Sequence, residues 1–152
     1  MRGISLVLFF FMAQGAFASS LSCAASEKNA LTNRIFSVDE YREVLGEWED
    51  AEPAAPGLLR LFRAYNLYQS EKPRVDKIRG DKAKHCFLGC RMAEEIDLKT
   101  AIYVAWYKEQ KDLTDCNSKT LFEHADYDAT VIGAETAMAS PEVSDCYQVC
   151  GL

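Results

Sequence analysis

Two short stretches, Cys86-Phe87-Leu88-Gly89-Cys90 and Cys146-Tyr147-Gln148-Val149-Cys150, each begin and end with a cysteine. Residues four positions apart lie on one face of an α-helix, so each stretch presents two sulfur atoms along one side of a helix. Two such helices packed antiparallel could be bridged twice, as Cys86–Cys150 and Cys90–Cys146. The spacing therefore predicts a fold held by a doubly cross-linked pair of helices.

The other two of the six cysteines, Cys23 and Cys116, complete an even number. An even count in an exported chain is typical of a disulfide framework, which predicts Cys23–Cys116 as the third bridge. A zinc site of four thiolates is the alternative. Zinc sites usually take cysteines from C-x₂-C turns and not from C-x₃-C helices, so disulfides are favoured.

The N-terminus has the pattern of a secretory signal peptide. Arg2 precedes an apolar run that reaches Met12, and Ala16-Phe17-Ala18 is the small-x-small pattern that signal peptidase accepts. We predict cleavage after Ala18 and a secreted or periplasmic location. A lipoprotein anchored through Cys23 is the alternative, and it would leave an odd number of cysteines in an oxidising compartment.

Charge and hydropathy limit the partners. No segment after residue 18 approaches the about 20 uncharged apolar residues of a transmembrane helix, so none is predicted. The formal net charge is −6, and removal of Arg2 makes it more negative. Binding of nucleic acid needs clustered Lys and Arg, so this acidity argues against nucleic acid and equally against a basic helix on a membrane surface. Envelope lipid, peptidoglycan or another protein remain as partners.

Caps and apolar periodicity predict an all-α domain. A signal peptide (1–18) and a polar arm (19–36) precede a helical domain (37–152), and a charged linker from Glu71 to Gly80 contains Pro73. No stretch alternates as a strand does, so the fold class is a single disulfide-bonded helical bundle of about five or six helices. The predicted helices run from about Ser37 to Asp50, Gly57 to Tyr68, Asp81 to Ile96, Lys99 to Asp112, Lys119 to Ala139, and from Ser140-Pro141-Glu142 to Cys150.

Three consecutive predicted helices each turn an ionisable side chain toward the shared apolar core. His85 lies in the apolar stripe of the third helix, one turn after Asp81. Glu109 lies within the stripe of the fourth helix with Asp112 at its edge, and Asp126 lies among small residues of the fifth. A buried carboxylate is costly unless it is paired, protonated or bound to a metal.

A His, a Glu and Asp residues on adjacent helices suit a divalent metal ion. We predict His85, Glu109, Asp112 and Asp126 as its ligands, with His85, Glu109 and Asp112 as the catalytic group of a metal-dependent hydrolase that acts on an envelope component. Two alternatives use the same residues. One is a metal-free acid/base pair with His85 as the base, and the other is a structural hydrogen-bond network that holds three helices in register.

A function of a different class is also consistent with the sequence. In a non-catalytic binding or inhibitor module, the disulfides supply rigidity and exposed aromatic residues supply the contact surface. The second predicted helix carries an apolar stripe. That stripe consists of Leu58, Leu61, Phe62 and Tyr65, and the aromatic contact residues would be Tyr65, Tyr68, Tyr103 and Tyr107.

The spacing of the polar residues also resembles a known pattern. Asp81-Lys82-Ala83-Lys84-His85, Lys108-Glu109-Gln110-Lys111-Asp112 and Asp126 with Gly133 match D-K-x-x-H … K-E-x-x-D … D-x₆-G, which is similar to small YfiM-like bacterial envelope lipoproteins. More distantly, it resembles the His/Glu/Asp C-terminal domains of some polymorphic secreted toxins. The resemblance covers about residues 80–135 and implies that His85, Glu109, Asp112 and Asp126 are shared polar positions. Thr130 stands where those patterns have Asp or Asn.

Overall fold

A computed structural model describes residues 23, 27–30, 32–117, 119–139 and 145–152. The predicted signal peptide, most of the polar arm before residue 27 and the predicted start of the last helix at Ser140-Pro141-Glu142 lie outside these residues. Among the described helices, none is both long and apolar enough to cross a bilayer.

The predicted all-α helical bundle is confirmed. In the described part of the chain, six helices follow a short hairpin that pairs β1 with β2 in antiparallel register, Lys28 opposite Ile35 and Asn29 opposite Arg34. The elements are β1 (Lys28–Asn29), β2 (Arg34–Ile35), α1 (Val38–Asp50), α2 (Leu58–Val75), α3 (Asp81–Glu95), α4 (Leu98–Thr114), α5 (His124–Ala139) and α6 (Cys146–Val149).

All three predicted disulfides are present. Cys86–Cys150 and Cys90–Cys146 join α3 to the C-terminal segment at α6, with Cα–Cα distances of 5.8 and 5.7 Å. Cys23–Cys116 ties the N-terminal arm to the end of α4. These bridges close loops of 64, 56 and 93 residues, which restricts the unfolded chain far more than a local cross-link would.

Two predicted helix boundaries were wrong. The segment that starts at Glu71 is not a linker, because α2 continues through Pro73 to Val75. Glu71 is buried there and pairs with Arg74 at 3.1 Å and with Arg91 of α3 at 3.0 Å, so tertiary contacts hold the last turn despite the proline. The fifth predicted helix begins at His124 and not at Lys119.

The late start of α5 has a local cause. The backbone N–H of Glu123 donates to the Glu109 carboxylate at 2.9 Å, and the Glu123 carbonyl accepts from the N–H of Asp126 at 2.8 Å. A helix beginning near Lys119 would require the Glu123 N–H to bond to a carbonyl four residues earlier. The side chain of Glu109 therefore fixes where α5 begins.

The backbones of α3 and α5 approach each other closely at two glycines. A Cβ atom on Gly89 would lie 1.9 Å from the carbonyl oxygen of Thr130, and one on Gly133 would lie 2.1 Å from the carbonyl oxygen of Cys86. Only a residue without a side chain fits at either point. The two contacts set the spacing of the helices that carry His85 and Asp126.

Reciprocal hydrogen bonds attach α1 to α4. The indole of Trp48 donates to the carbonyl of Trp106 at 3.3 Å, and the indole of Trp106 donates to the carbonyl of Trp48 at 2.9 Å. Tyr41 adds a buried hydrogen bond to the carbonyl of Leu113 at 2.7 Å. These bonds satisfy polar groups that the aromatic side chains carry into the core.

Helix α2 buries a different face from its apolar stripe. Its buried residues are Ala64, Glu71 and Val75, whereas Leu58, Phe62 and Tyr65 of the predicted stripe are exposed and only Leu61 is half-buried. On the buried side, the Glu71 carboxylate is paired with Arg74 and Arg91, as a buried charge requires. The bundle therefore presents an apolar helix face to solvent.

We predict that Gly89→Ala lowers the free energy of unfolding by about 3 kcal/mol, since the added Cβ would force the α3 and α5 backbones apart. Gly46→Ala is the matched control. Gly46 lies inside α1 with open space around its Cα, so alanine there should raise stability by about 0.5–1 kcal/mol. Urea denaturation of the oxidised protein measures both, and similar effects of the two substitutions would contradict the close helix approach.

Candidate functional site

The structure brings His85 and Asp126 together. His85 on α3 faces Asp126 on α5 with 3.3 Å between Nε2 and Oδ2, and its Nδ1 lies 3.3 Å from the hydroxyl of Thr130. Thr130 follows Asp126 by one helical turn, and its hydroxyl donates to the Asp126 carbonyl at 2.9 Å. The close helix approach at Gly89 places Thr130 within reach of the imidazole.

These bonds determine how the His85–Asp126 pair holds its proton. The single hydrogen of the Thr130 hydroxyl points to the Asp126 carbonyl, so His85 Nδ1 must carry a hydrogen and donate to Thr130. A second proton must then lie between Nε2 and the Asp126 carboxylate for their contact to be favourable. Burial lowers the pKa of His85 and raises the pKa of Asp126, so the difference between their affinities for that proton is smaller than it would be in water.

A lysine contacts the acidic groups around this pair. The ammonium of Lys82 bonds to Asp126 and Glu123, and lies 3.3 Å from a carboxylate oxygen of Asp81. Burial alone would lower the pKa of Lys82, but its bonds to Asp126 and Glu123 raise it well above the ordinary value. Lys82 is therefore a fixed positive charge at the centre of three carboxylates.

Glu109 and Asp112 belong to a second group on α4. Lys108 lies 2.9 Å from Glu109 and 2.6 Å from Asp112, and the other Glu109 oxygen accepts the N–H of Glu123 at 2.9 Å. Glu109 is completely buried, and burial raises its pKa. Burial would lower the pKa of Lys108, whereas its bonds to Asp112 and Glu109 raise it to about 12.

The predicted ligand set is thus divided between two lysines. His85, Asp126 and Asp81 have ligand atoms within 4.8 Å of one another, and neither Glu109 nor Asp112 belongs to that group of described residues. Two carboxylates and a histidine are suitable donors for a divalent ion. Lys82 already bonds to both carboxylates, so the three residues as arranged do not fit a metal ion unless the ammonium moves away.

A second group of potential ligands also fails on chemical grounds. Cys90, Glu94 and Cys146 lie within the same 4.8 Å limit, but the two sulfur atoms are bonded to each other. A disulfide has no thiolate to offer a metal ion.

An apolar groove lies elsewhere on the molecule. It has a volume of about 300 Å³, and its lining includes none of the predicted ligands. The groove is lined by Val44, Glu47, Trp48, Ala51, Trp106, Phe122, His124 and Tyr127. The polar cluster and this groove therefore do not form one substrate site.

Sequence reasoning missed the two lysines as partners of the cluster. Both stand in the motifs that single out the acidic residues, Lys82 next to Asp81 and Lys108 four positions before Asp112. A lysine four positions before an aspartate on a helix is itself a signal for an ion pair. The bond from Lys82 to Asp126 spans 44 residues and has no local signal.

Glu27 is a further buried acid, located in the segment predicted to be a polar arm. It is fully buried, and neither of its carboxylate oxygens has a hydrogen-bond partner among the described residues. Burial and the nearby acids Asp115 and Asp112 raise the pKa of Glu27 to about 7. The backbone N–H of Glu27 donates to the carbonyl of Cys23 at 2.9 Å, so this acid lies next to the disulfide that ties down the arm.

Comparisons of the chain with protein-family models, with curated proteins and with solved structures found no match. The site must be interpreted from its own chemistry.

We predict that Glu27→Gln changes how stability depends on pH. A folded-state pKa of about 7, above the ordinary 4.5, means that the contribution of Glu27 to stability is fully present below pH 4.5 and is lost as the pH rises to about 7. Glu27→Gln should remove this loss, which amounts to about 3 kcal/mol at pH 8, and should match the wild type near pH 4. Urea denaturation across this pH range measures the effect, and a parallel shift at every pH would contradict it. Exposed Glu43→Gln is the control.

Lys108→Met should destabilise the protein by about 2 kcal/mol at neutral pH, because it leaves the buried carboxylates of Glu109 and Asp112 without a cation. The value is at the low end for a buried pair because the Lys108 side chain is 40% exposed. Lys111→Met is the control on the same helix, since its 2.7 Å pair with Asp115 is more exposed and should contribute less than about 0.5 kcal/mol. Equal losses in the two variants would show that Lys108 is not required for burial of the acids.

Proposed function

We propose that this chain is an extracytoplasmic, non-catalytic binding module that contacts its partner through the outer face of α2. The predicted signal peptide, with cleavage after Ala18, supports a secreted or periplasmic location. The three disulfides support the same location, because such bonds persist in oxidising compartments.

The observation that carries the proposal is the orientation of α2. Four large apolar side chains within eight residues face solvent: Leu58 is 85% exposed, Leu59 81%, Phe62 62% and Tyr65 60%. Single exposed apolar residues are ordinary, but a continuous strip of them on one helix is typical of an interaction surface. We call these four residues the α2 strip.

The polar cluster then serves the fold. Lys82 of α3 bonds to Asp126 of α5, and Glu109 of α4 bonds to the backbone at the start of α5. Each buried carboxylate of the cluster has a partner within the protein, as expected of a network that fixes the register of three helices. The network keeps the body rigid, which lowers the entropy cost of binding through α2.

The test is retention on a washed envelope fraction after export of the chain into a bacterial periplasm. Phe62→Ser should reduce the retained fraction about tenfold, because it removes the large side chain at the centre of the α2 strip. Ile132→Ser is the control, since Ile132 is 59% exposed on α5 and lies outside the strip. Equal retention of the two variants would contradict the proposal.

The competing function is a metal-dependent hydrolase, favoured by the proximity of ligand atoms in Asp81, His85 and Asp126. Metal analysis of the same periplasmic protein, purified without chelator, distinguishes the two functions. A stoichiometric ion that is lost in Asp81→Asn and kept in Asp128→Asn would support the hydrolase. The binding module is expected to carry no such ion, and Asp81→Asn is expected to leave envelope retention unchanged.

A further inference from the structure

We propose that the partner of the α2 strip is an anionic lipid surface, on which α2 lies parallel to the membrane plane. This inference rests on the proposed function, because it names the occupant of the same surface. Three features of α2 support it: the excess of positive charge near the helix, the cations at the edges of the strip, and the contacts that anchor the helix to the bundle.

Charge is unevenly distributed along the chain. The net charge of −6 conceals a basic region: residues 58–79 contain six Lys or Arg side chains and two acidic ones, an excess of four positive charges. Helix α1, by contrast, contains six acidic side chains and one Arg. The total charge therefore does not describe the surface at α2, where an anionic layer would be attracted.

Positive side chains border the α2 strip. Arg63 follows Leu59 by four residues and Lys72, which also pairs with exposed Asp76 at 3.1 Å, follows Tyr65 by seven, so the two cations lie along the edges of the apolar face. Between them the same face continues into Asn66 and Gln69, which carry no charge. An apolar face with cationic borders and no acid within it is typical of a helix that lies at a lipid interface.

The inner side of α2 is anchored to the bundle. Arg60 pairs with Asp97 at 3.1 Å, Arg63 donates to the carbonyl of Glu95 at 3.0 Å, and the buried Glu71 pairs with Arg91. The helix is thus formed before it meets a surface. Interfacial helices that fold only on contact lose part of their binding energy in ordering, and this one does not.

A second copy of the chain fits the strip less well. Pairing two α2 helices face to face would bring two basic regions together, and like charges across a contact oppose association. Tyr65 and Tyr68 also suit a lipid interface, because a tyrosine has an apolar ring and a polar tip that can remain in water.

The experiment is co-sedimentation of the purified periplasmic protein with protein-free vesicles. Binding should be strong to mixed phosphatidylcholine–phosphatidylglycerol vesicles, weak to pure phosphatidylcholine vesicles, and reduced when NaCl is raised from about 0.1 M to about 0.5 M. Phe62→Ser should weaken partitioning about tenfold, and Lys72→Gln, which changes a half-exposed border cation, about fivefold. Ile132→Ser and Lys119→Gln are the matched controls, and both should bind as the wild type does.

Equal binding to the two kinds of vesicle, or Phe62→Ser binding as tightly as wild type, would overturn the inference. A Phe62-dependent dimer without vesicle binding would also overturn it and would identify a second copy as the occupant. Envelope retention that depends on Phe62 while vesicles fail to bind would remove the lipid and leave the binding module with a protein or peptidoglycan partner. If neither envelope retention nor vesicle binding depends on Phe62, the proposed function is contradicted as well.

Discussion

The contact of α3 with α5 at Gly89 and Gly133 is the constraint on which the rest of the structure depends. A Cβ atom at either glycine would lie about 2 Å from a backbone oxygen of the other helix, so the helices are as close as backbones allow. This spacing brings Thr130 to the imidazole of His85 and Lys82 to Asp126. Disulfides join Cys86 and Cys90 of the same helix α3 to the C-terminal segment.

Such close packing determines the chemistry of the polar cluster. Little water can reach carboxylates at a helix contact of this kind, so their charge must be balanced from within the protein. Lys82 and Lys108 supply the balance and extend to the surface through flexible stems that remain partly exposed. A cluster of His, Glu and Asp that suggests a metal site in the sequence is, with its lysines included, already occupied by two ammonium groups. The positions of the lysines therefore distinguish a metal site from a structural ion-pair network more directly than the positions of the acids do.

Several features could be predicted from the sequence because their signals are local. The start of α1 was predicted from the helix cap at Ser37, two disulfides from the four-residue spacing of their cysteines, and the third from the two cysteines that remained. Features that depend on distant partners could not be predicted. Pro73 indicates a break in α2, but the ion pairs of Glu71 with Arg74 and Arg91 keep the helix intact. The approach of His85 to Asp126 followed from helical periodicity, whereas the division of Asp126 and Glu109 between two lysines depends on the bond from Lys82 to Asp126, which joins residues 44 positions apart.

The orientation of α2 shows that neither the apolar periodicity of a helix nor the net charge of the chain is enough to describe a local surface. Periodicity identifies an apolar stripe on this helix, and the usual inference is that such a stripe faces the core. Helix α2 departs from that rule: its buried side carries Glu71, which pairs with Arg91 at 3.0 Å, and its apolar stripe is largely exposed. The net charge of the chain also fails to describe the surface at α2, because the acidic side chains of α1 outweigh the basic ones near α2 in the total. The apolar stripe of α2 thus faces outward while the buried Glu71 pairs with Arg74 and Arg91, and the cations that flank the helix determine which surfaces it can meet.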